Sequence, residues 1–321
     1  MSDHTRAIIV AAGRGRRLGP ETAEIPKCMV PVAGRPILHR QIEALTAAGV
    51  REFVIVRGYL GERIVPPSGT VGGVRIAVRF VDNPDWATNN ILASLMFAEA
   101  EMGDGFVFSY SDIVFATEHA HRLAAAEVGS GIALVIDRLW GDTYVGRIHH
   151  PIAEAELASV RPASPAQIGP GVDGAPPPPP PEGSPAPAVT VDRVGKTVVA
   201  PQAAVGEFIG LARFSRAGAA ALKREWHRAM ALPGGLEAAY GRAAHLRQAY
   251  LSDALNALAD GGAALTALFV DGRWREIDTE EDLGRAHALV DDWDRAPPSA
   301  PRITPRASAR ATPTTDQTDD G

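Results

Sequence analysis

The chain has 321 residues, of which 45% are hydrophobic and 22% charged, with a formal net charge of -6. That length suits one large α/β domain or two modest ones, and a mildly acidic chain lacks the basic face or stripe of a nucleic-acid binder. The single cysteine, Cys28, excludes an intramolecular disulfide, no run is apolar for long enough to cross a bilayer, and the N-terminus MSDHTRAIIVAAG lacks the marks of a signal peptide, which together point to the cytoplasm.

The first element is Arg6–Ala12 (RAIIVAA), an apolar run that opens into glycines and reads as a strand buried on both faces. Pro36–Ala48 has Ile37, Ile42, Leu45 and Ala48 at roughly helical spacing, between a starting proline and Gly49. Strands are predicted at Glu52–Val56 and Val74–Val81, a helix at Thr88–Ala100, a strand at Gly105–Tyr110, a helix at Glu118–Glu127 and a strand at Ile132–Asp137. Such alternation predicts an α/β fold, a Rossmann-like and mostly parallel sheet with helices on both faces, whose ligands lie at the carboxyl ends of the strands. From Pro162 to Pro187 the chain is rich in Pro, Ala, Gly and Ser, and Pro176–Pro181 is an unbroken proline run. This segment reads as a disordered insertion loop, because strand-like sequence resumes at Ala188–Val191 and Val205–Phe214. Residues 292–321 read as a disordered tail, which leaves residues 1–291 as a single domain.

Several motifs carry chemistry. Ala11-Ala12-Gly13-Arg14-Gly15-Arg16-Arg17-Leu18 follows the first strand. Small residues and glycines there let backbone N–H groups cradle phosphates, with positive φ expected at Gly13 and Gly15, and the arginines supply charge. Lys27 lies a short loop later and can return to the same anion. G-x-G-x-x-G would need glycine at Leu18, and no G-K-[ST] follows, so neither of those phosphate loops is present. Asp112, at the end of FVFSYSD, is either a Mg2+ ligand at the ligand edge of the sheet or the cap of the next helix. Asp278, in WREIDTEEDL, has the same two readings, a second metal ligand facing Asp112 or a cap, and Glu276 lies two residues before it. Asn89 and Ser94, in DNPDWATNNILASL, offer amide and hydroxyl groups able to read a base edge. Cys28 has no base beside it and reads as a small buried hydrophobe. His149-His150, and His119 with His121, lack the further ligands of a zinc set and are expected at the surface or in caps.

The segment IIVAAGRGRRLGPETAEIPKCMVPVAGRPIL resembles the opening of the sugar-1-phosphate and choline-phosphate nucleotidyltransferase superfamily. The resemblance implies a glycosyltransferase-A-like fold and a nucleotide-binding loop over Ala11–Leu18. It places Arg17 on the β- and γ-phosphates and Lys27 on the α-phosphate or the leaving group. Lys196 matches a lysine that reaches the α-phosphate and the acceptor's phosphoryl group. Where the superfamily has Gly-Asp, this chain has Ser111-Asp112. NPDWATNNILASL resembles the choline-phosphate branch, which uses CTP. SYSDIVF, GEFIGLARFS and the stretch from Ala249 to Leu283 resemble the nucleotidyltransferases associated with phosphoenolpyruvate mutase, which cytidylylate phosphonates. The implied reaction is in-line attack by a phosphonate or phosphate oxygen on the α-phosphorus of CTP, releasing pyrophosphate, with Mg2+ as cofactor. A sugar- or polyol-phosphate nucleotidyltransferase and a nucleotide-sensing module without turnover are the alternatives. No nucleic acid or membrane is implied as a partner, and no feature of the sequence sets an oligomeric state. An aminoalkyl acceptor calls for a carboxylate, with Glu207 the candidate, and Tyr144 is placed to wall the same pocket.

Overall fold

The computed structural model describes residues 6–67, 69–161 and 189–295. The Pro-rich insertion read at 162–187 lies outside the described residues, as do residues 296–321 of the expected tail.

The strands are β1 (Arg6–Ala11), β2 (Glu52–Arg57), β3 (Ala77–Asp82), β4 (Gly105–Tyr110), β5 (Ile113–Phe115), β6 (Ile132–Asp137), β7 (Glu156–Val160), β8 (Val189–Lys196), β9 (Gly206–Ser215), β10 (Leu265–Val270) and β11 (Trp274–Glu276). The helices are α1 (Ile37–Ala47), α2 (Ile91–Met96), α3 (Thr117–Ala125), α4 (Trp140–Tyr144), α5 (Arg216–Met230), α6 (Leu251–Asp260) and α7 (Glu280–Arg295). Nine strands form one mixed sheet in the order β6-β10-β8-β7-β9-β4-β1-β2-β3, and β6 also pairs with β9. The half made by β4, β1, β2 and β3 is parallel, as the alternation of strands and helices requires. Antiparallel pairing begins where β9 meets β4.

Side-chain alternation explains why β1 is apolar throughout. Ile8 and Val10 enter one core with Leu92, Leu95, Leu222 and Leu255 of α2, α5 and α6. Ala7, Ile9 and Ala11 enter the other, with Leu38, Ile42 and Leu45 of α1 and Leu123 of α3. Both faces are therefore dry, and a two-sided strand must be apolar at every position. A third core joins Leu18, Val30, Ile37, Val114, Ile277 and Val290, so the last residue of the Gly-rich motif is an anchor under α7.

The observed elements differ from the expected ones in places. The strand expected at Val74–Val81 breaks: Val74–Arg75 pairs with Thr70–Val71 across a tight turn, and only Ala77–Asp82 joins the sheet. The helix expected from Thr88 starts at Ile91, capped by the Asn90 side chain at 2.8 Å. Thr88 and Asn89 instead close a turn, their backbone N–H groups on the Asp85 carbonyl, which also accepts from the Thr88 hydroxyl at 3.1 Å, the side-chain bonding by which such polar residues compete with helix. Helix α7 runs to Arg295, into the segment read as tail.

β1 and β4 are parallel neighbours, while β2 lies on the other side of β1, so a topological switch point falls between β1 and β4. Ligands bind at such points, beyond the carboxyl ends of the strands. Here those ends deliver Ala12–Arg17 from β1 and Ser111-Asp112 from β4.

Candidate nucleotide and acceptor site

A cavity of about 370 Å3 opens at that edge of the sheet. Ala11, Ala12, Gly13, Gly15, Arg16, Arg17, Lys27, Asn89, Ser94, Asp112, Lys196, Glu207 and Asp278 all line it. Two expected residues do not. Arg14 is exposed and lies over the Tyr59 ring, 5.3 Å from its centroid. Tyr144 reaches the cavity only through Glu207, whose Oε1 accepts its hydroxyl at 2.7 Å.

The Gly-rich loop is shaped by two close approaches. Gly15 has φ +67°, and a Cβ there would stand 2.9 Å from Cδ of Lys27. Gly13 has neither a positive φ nor a close neighbour, so the conformational demand expected of both glycines falls on Gly15 alone. At Gly58, after β2, a Cβ would meet both Trp86 and the Ala12 carbonyl, so glycine lets Trp86 close over the loop.

Asp112 and Asp278 are brought together by the short antiparallel pair β5–β11. That pairing continues into a bond from the Ile277 N–H to the Asp112 carbonyl (2.8 Å) and sets the two carboxylates side by side. Both accept hydrogen bonds from Lys27 Nζ, Asp112 at 2.7 Å. Arg17 binds the other oxygen of Asp278 at 2.6 Å. Burial opposes charge on Lys27, but Asp112, Asp278 and Glu276 outweigh it and raise its pKa. Burial likewise works against Asp278 as an anion, yet Lys27 and Arg17 hold its pKa below the usual carboxylate range. Asp278 also lies at the α7 N-terminus, but the cap there is Thr279, whose Oγ1 accepts from the Asp282 N–H at 3.2 Å, while Asp282 in return accepts from the N–H groups of Asp278 and Thr279.

Lys196 donates to Glu154 at 2.9 Å and lies over the Tyr250 ring. Farther in, Glu156 accepts from Tyr110 (2.9 Å) and Ser252 (2.6 Å). Glu207 is 2% exposed, and its Oε2 has no hydrogen-bond partner. Burial pushes its carboxyl up to about 8, with the Tyr144 hydrogen bond as a partial offset. Asn89 and Ser94 bond to each other and to Asn83, which is 1% exposed, so the expected base readers are held by a buried amide.

One expectation is corrected. His150 and His119 are buried, not at the surface: His119 contacts the Gly272 carbonyl at 2.8 Å, and His150 sits beside Glu276 and Asp282. Asp137, the last residue of β6, accepts from Leu139, Gly272 and Trp274 and braces the β10–β11 turn. Cys28 is buried as expected, and burial pushes its thiol up to about 12, which leaves no thiolate for chemistry at neutral pH.

A divalent cation fits this donor set. Asp112 Oδ1 is buried without a hydrogen-bond partner, and carboxylate oxygens are what a hard cation takes.

Residues 7–167, half of the chain, match the MobA-like NTP transferase domain. The chain belongs to that family. Over 129 residues the chain is 39% identical to CMP-5'-(3-aminopropyl)phosphonate synthase of Streptomyces rubellomurinus, covering 40% of this chain and 20% of that protein. CTP:phosphoglutamine cytidylyltransferase of Campylobacter jejuni is 32% identical over 155 residues, 47% of this chain and 59% of the relative. The chain thus spans less than two thirds of the length of either. Among solved structures, the inositol-1-phosphate CTP transferase from T. maritima superposes with a TM-score of 0.62 at 18% identity, covering 92% of this chain and 98% of that one. That likeness shows the α/β nucleotidyltransferase fold.

Proposed function

We propose that the protein is a cytidylyltransferase that moves CMP from CTP to a small phosphonate carrying an amine, with release of pyrophosphate. The observation that carries this reading is Glu207: it lines the cavity, is buried, and its Oε2 has no hydrogen-bond partner, so its ionised form can pair with an acceptor ammonium. The names of the relatives, one an aminopropylphosphonate synthase, agree with that acceptor class.

Asp112 and Asp278, with Glu276 beside them, are the residues that would hold Mg2+, which neutralises phosphate charge and orients the phosphates when bound. The Gly-rich loop binds the triphosphate through backbone N–H groups, and Trp86, Asn89 and Ser94 border the base. Lys27, Arg17 and Lys196 hold the phosphates and offset the charge that builds up during transfer. These cations pair with Asp112, Asp278 and Glu154, which hold positive charge at the edge of the cavity where the triphosphate would lie. A phosphonate oxygen is anionic at neutral pH and needs no general base. Glu207 pairs with the amine through its free oxygen, steered by Tyr144.

No helix of the described residues is long and apolar enough to cross a membrane, and a cytoplasmic location is part of this proposal. The test is Glu207→Gln assayed with aminoalkyl and hydroxyalkyl phosphonates. A rise in KM for the amine-bearing acceptor alone supports the reading, and an equal loss for both would make Glu207 structural.

A further inference from the structure

Asn83, the residue after β3, lies outside the cavity lining and is 1% exposed. Its N–H donates to the Arg57 carbonyl at 2.8 Å, which fixes its backbone to the end of β2. Its Oδ1 accepts from the Asp85 N–H at 3.0 Å. A backbone N–H can only donate, so the side-chain atom it faces is the oxygen, and the orientation of the Asn83 amide is settled. The Nδ2 of Asn83 then donates to Asn89 Oδ1 (3.1 Å) and to Ser94 Oγ (3.0 Å), while Asn89 Nδ2 donates back to Asn83 Oδ1 at 3.1 Å. The two amides form a reciprocal pair, and the Asp85 N–H sets the direction of both.

That pair determines what is left to meet a base. Both N–H groups and both oxygen lone pairs of the Asn83 amide are used. Asn89 Oδ1 is full as well, since it accepts from Ser94 Oγ at 3.1 Å in addition to Asn83. The amide of Asn89 keeps one Nδ2–H with no partner among the described residues, and Asn89 lines the cavity where Asn83 does not. It therefore offers a donor and no acceptor. On its pairing edge cytosine has an acceptor at ring N3, where uracil has N3–H. A site built around one hydrogen-bond partner rejects the analogue that lacks it. We infer that Asn83 is a specificity-determining positioning residue: it locks Asn89 so that an N–H, not a carbonyl oxygen, meets ring N3 of the base, which selects CTP over UTP. This rests on the CTP reading above.

The test is binding of CTP and of UTP to the full chain by calorimetry, with Mg2+ and no acceptor present. Asn83→Asp keeps the volume and the acceptor for the Asp85 N–H, but it sets an oxygen against Asn89 Oδ1 and so breaks the reciprocal pair. Asn83→Ser keeps a hydroxyl able to hold the same turn, and serves if the aspartate variant does not fold. In either variant the freed Asn89 amide can turn its oxygen toward uracil N3–H. The CTP-over-UTP affinity ratio should then fall about tenfold or more, the effect of one buried hydrogen-bonding group losing its partner. Asn89→Ala should lower the ratio as far, and adding Asn83→Ser to it should change the ratio no further, because Asn83 acts through Asn89. An unchanged ratio in a folded Asn83 variant, with CTP and UTP weakened equally, overturns the inference and leaves Asn83 a structural residue. A further fall in the double variant overturns it too. Wild-type protein that binds CTP and UTP equally overturns the CTP reading and this inference together. Wild-type protein that binds neither overturns the nucleotide reading itself.

Discussion

Lys27 is the residue on which the chemistry and the fold are most tightly joined. It is 7% exposed and carries two carboxylates on one ammonium. The sequence pattern predicts that its loss stops turnover, and the buried pairs add a structural cost that the pattern does not convey. Lys27→Met should lower kcat by about 10²- to 10³-fold, the effect of losing one preorganised donor. It should also cost about 3–5 kcal/mol of stability, because Asp112 and Asp278 lose the buried ammonium they share, Asp278 keeping Arg17. Steady-state pyrophosphate release and denaturant unfolding measure the two effects, and near-normal release would remove Lys27 from its assigned role. Glu207 makes a second prediction at this scale. Its folded carboxyl, at about 8, lies above the ordinary 4.5, so it holds a proton at neutral pH. Pairing with an ammonium requires the ionised form, so KM for an amine-bearing acceptor should fall as pH rises toward about 8. The unfolded chain gives up that proton near 4.5, so Glu207 also lowers stability as pH rises from there to about 8. Both trends should flatten in Glu207→Gln, and a KM independent of pH would contradict the pairing.

At the scale of elements, what the sequence made legible was local. The apolar β1 run, the Gly-rich loop after it, Lys27 and the two aspartates at strand ends are each visible in a few consecutive residues. The positions of Asp112 and Asp278 follow from strand ends, although their meeting depends on the β5–β11 pair. What was not legible depends on contacts far apart in the chain. His150 and Arg147 meet Asp282 across more than 130 residues, and no periodicity announces such a pair. Residues 139–154 form a strap whose polar groups dock on α7: Glu281 accepts from the N–H groups of Ile148 and His149, and Arg285 donates to the Val145 carbonyl. The spacing of the histidines carries no sign of this, because His150 faces an arginine and carboxylates supplied by distant parts of the chain. Breaking the buried Arg147–Asp282 pair by Arg147→Met should cost about 3–5 kcal/mol, read as a lower midpoint in urea. An unchanged midpoint would show that the strap is not held there. Gly15→Ala should depress turnover at least tenfold while leaving Tm within a few degrees. Its methyl would displace the Lys27 stem, and the backbone at φ +67° disfavours alanine.

At the scale of the molecule, the mixed sheet divides the labour. On the proposed reading, its parallel half presents the Gly-rich loop to the nucleotide, and its antiparallel half presents Lys196, Glu156 and Glu207 to the acceptor. The meeting of the two halves at β4 and β9 explains why a cavity forms there, and why residues from the beginning, middle and end of the chain line it. Val160 pairs with Val191, and Arg161 N–H donates to the Thr190 carbonyl, so the described residues on either side of 162–188 are adjacent. Replacing that segment with a four-residue turn should therefore leave kcat/KM within about threefold of wild type, since closing a short hairpin costs little entropy. A large loss would place the segment in the site. The central claim is tested most directly by following pyrophosphate release from each of ATP, CTP, GTP and UTP with 2-aminoethylphosphonate, a hydroxyalkyl phosphonate, phosphocholine and a sugar-1-phosphate. The account predicts Mg2+-dependent release with CTP and the aminoalkyl phosphonate above every other pair. Preferential release with another nucleotide or with the sugar phosphate, or no release with any pair, would contradict it.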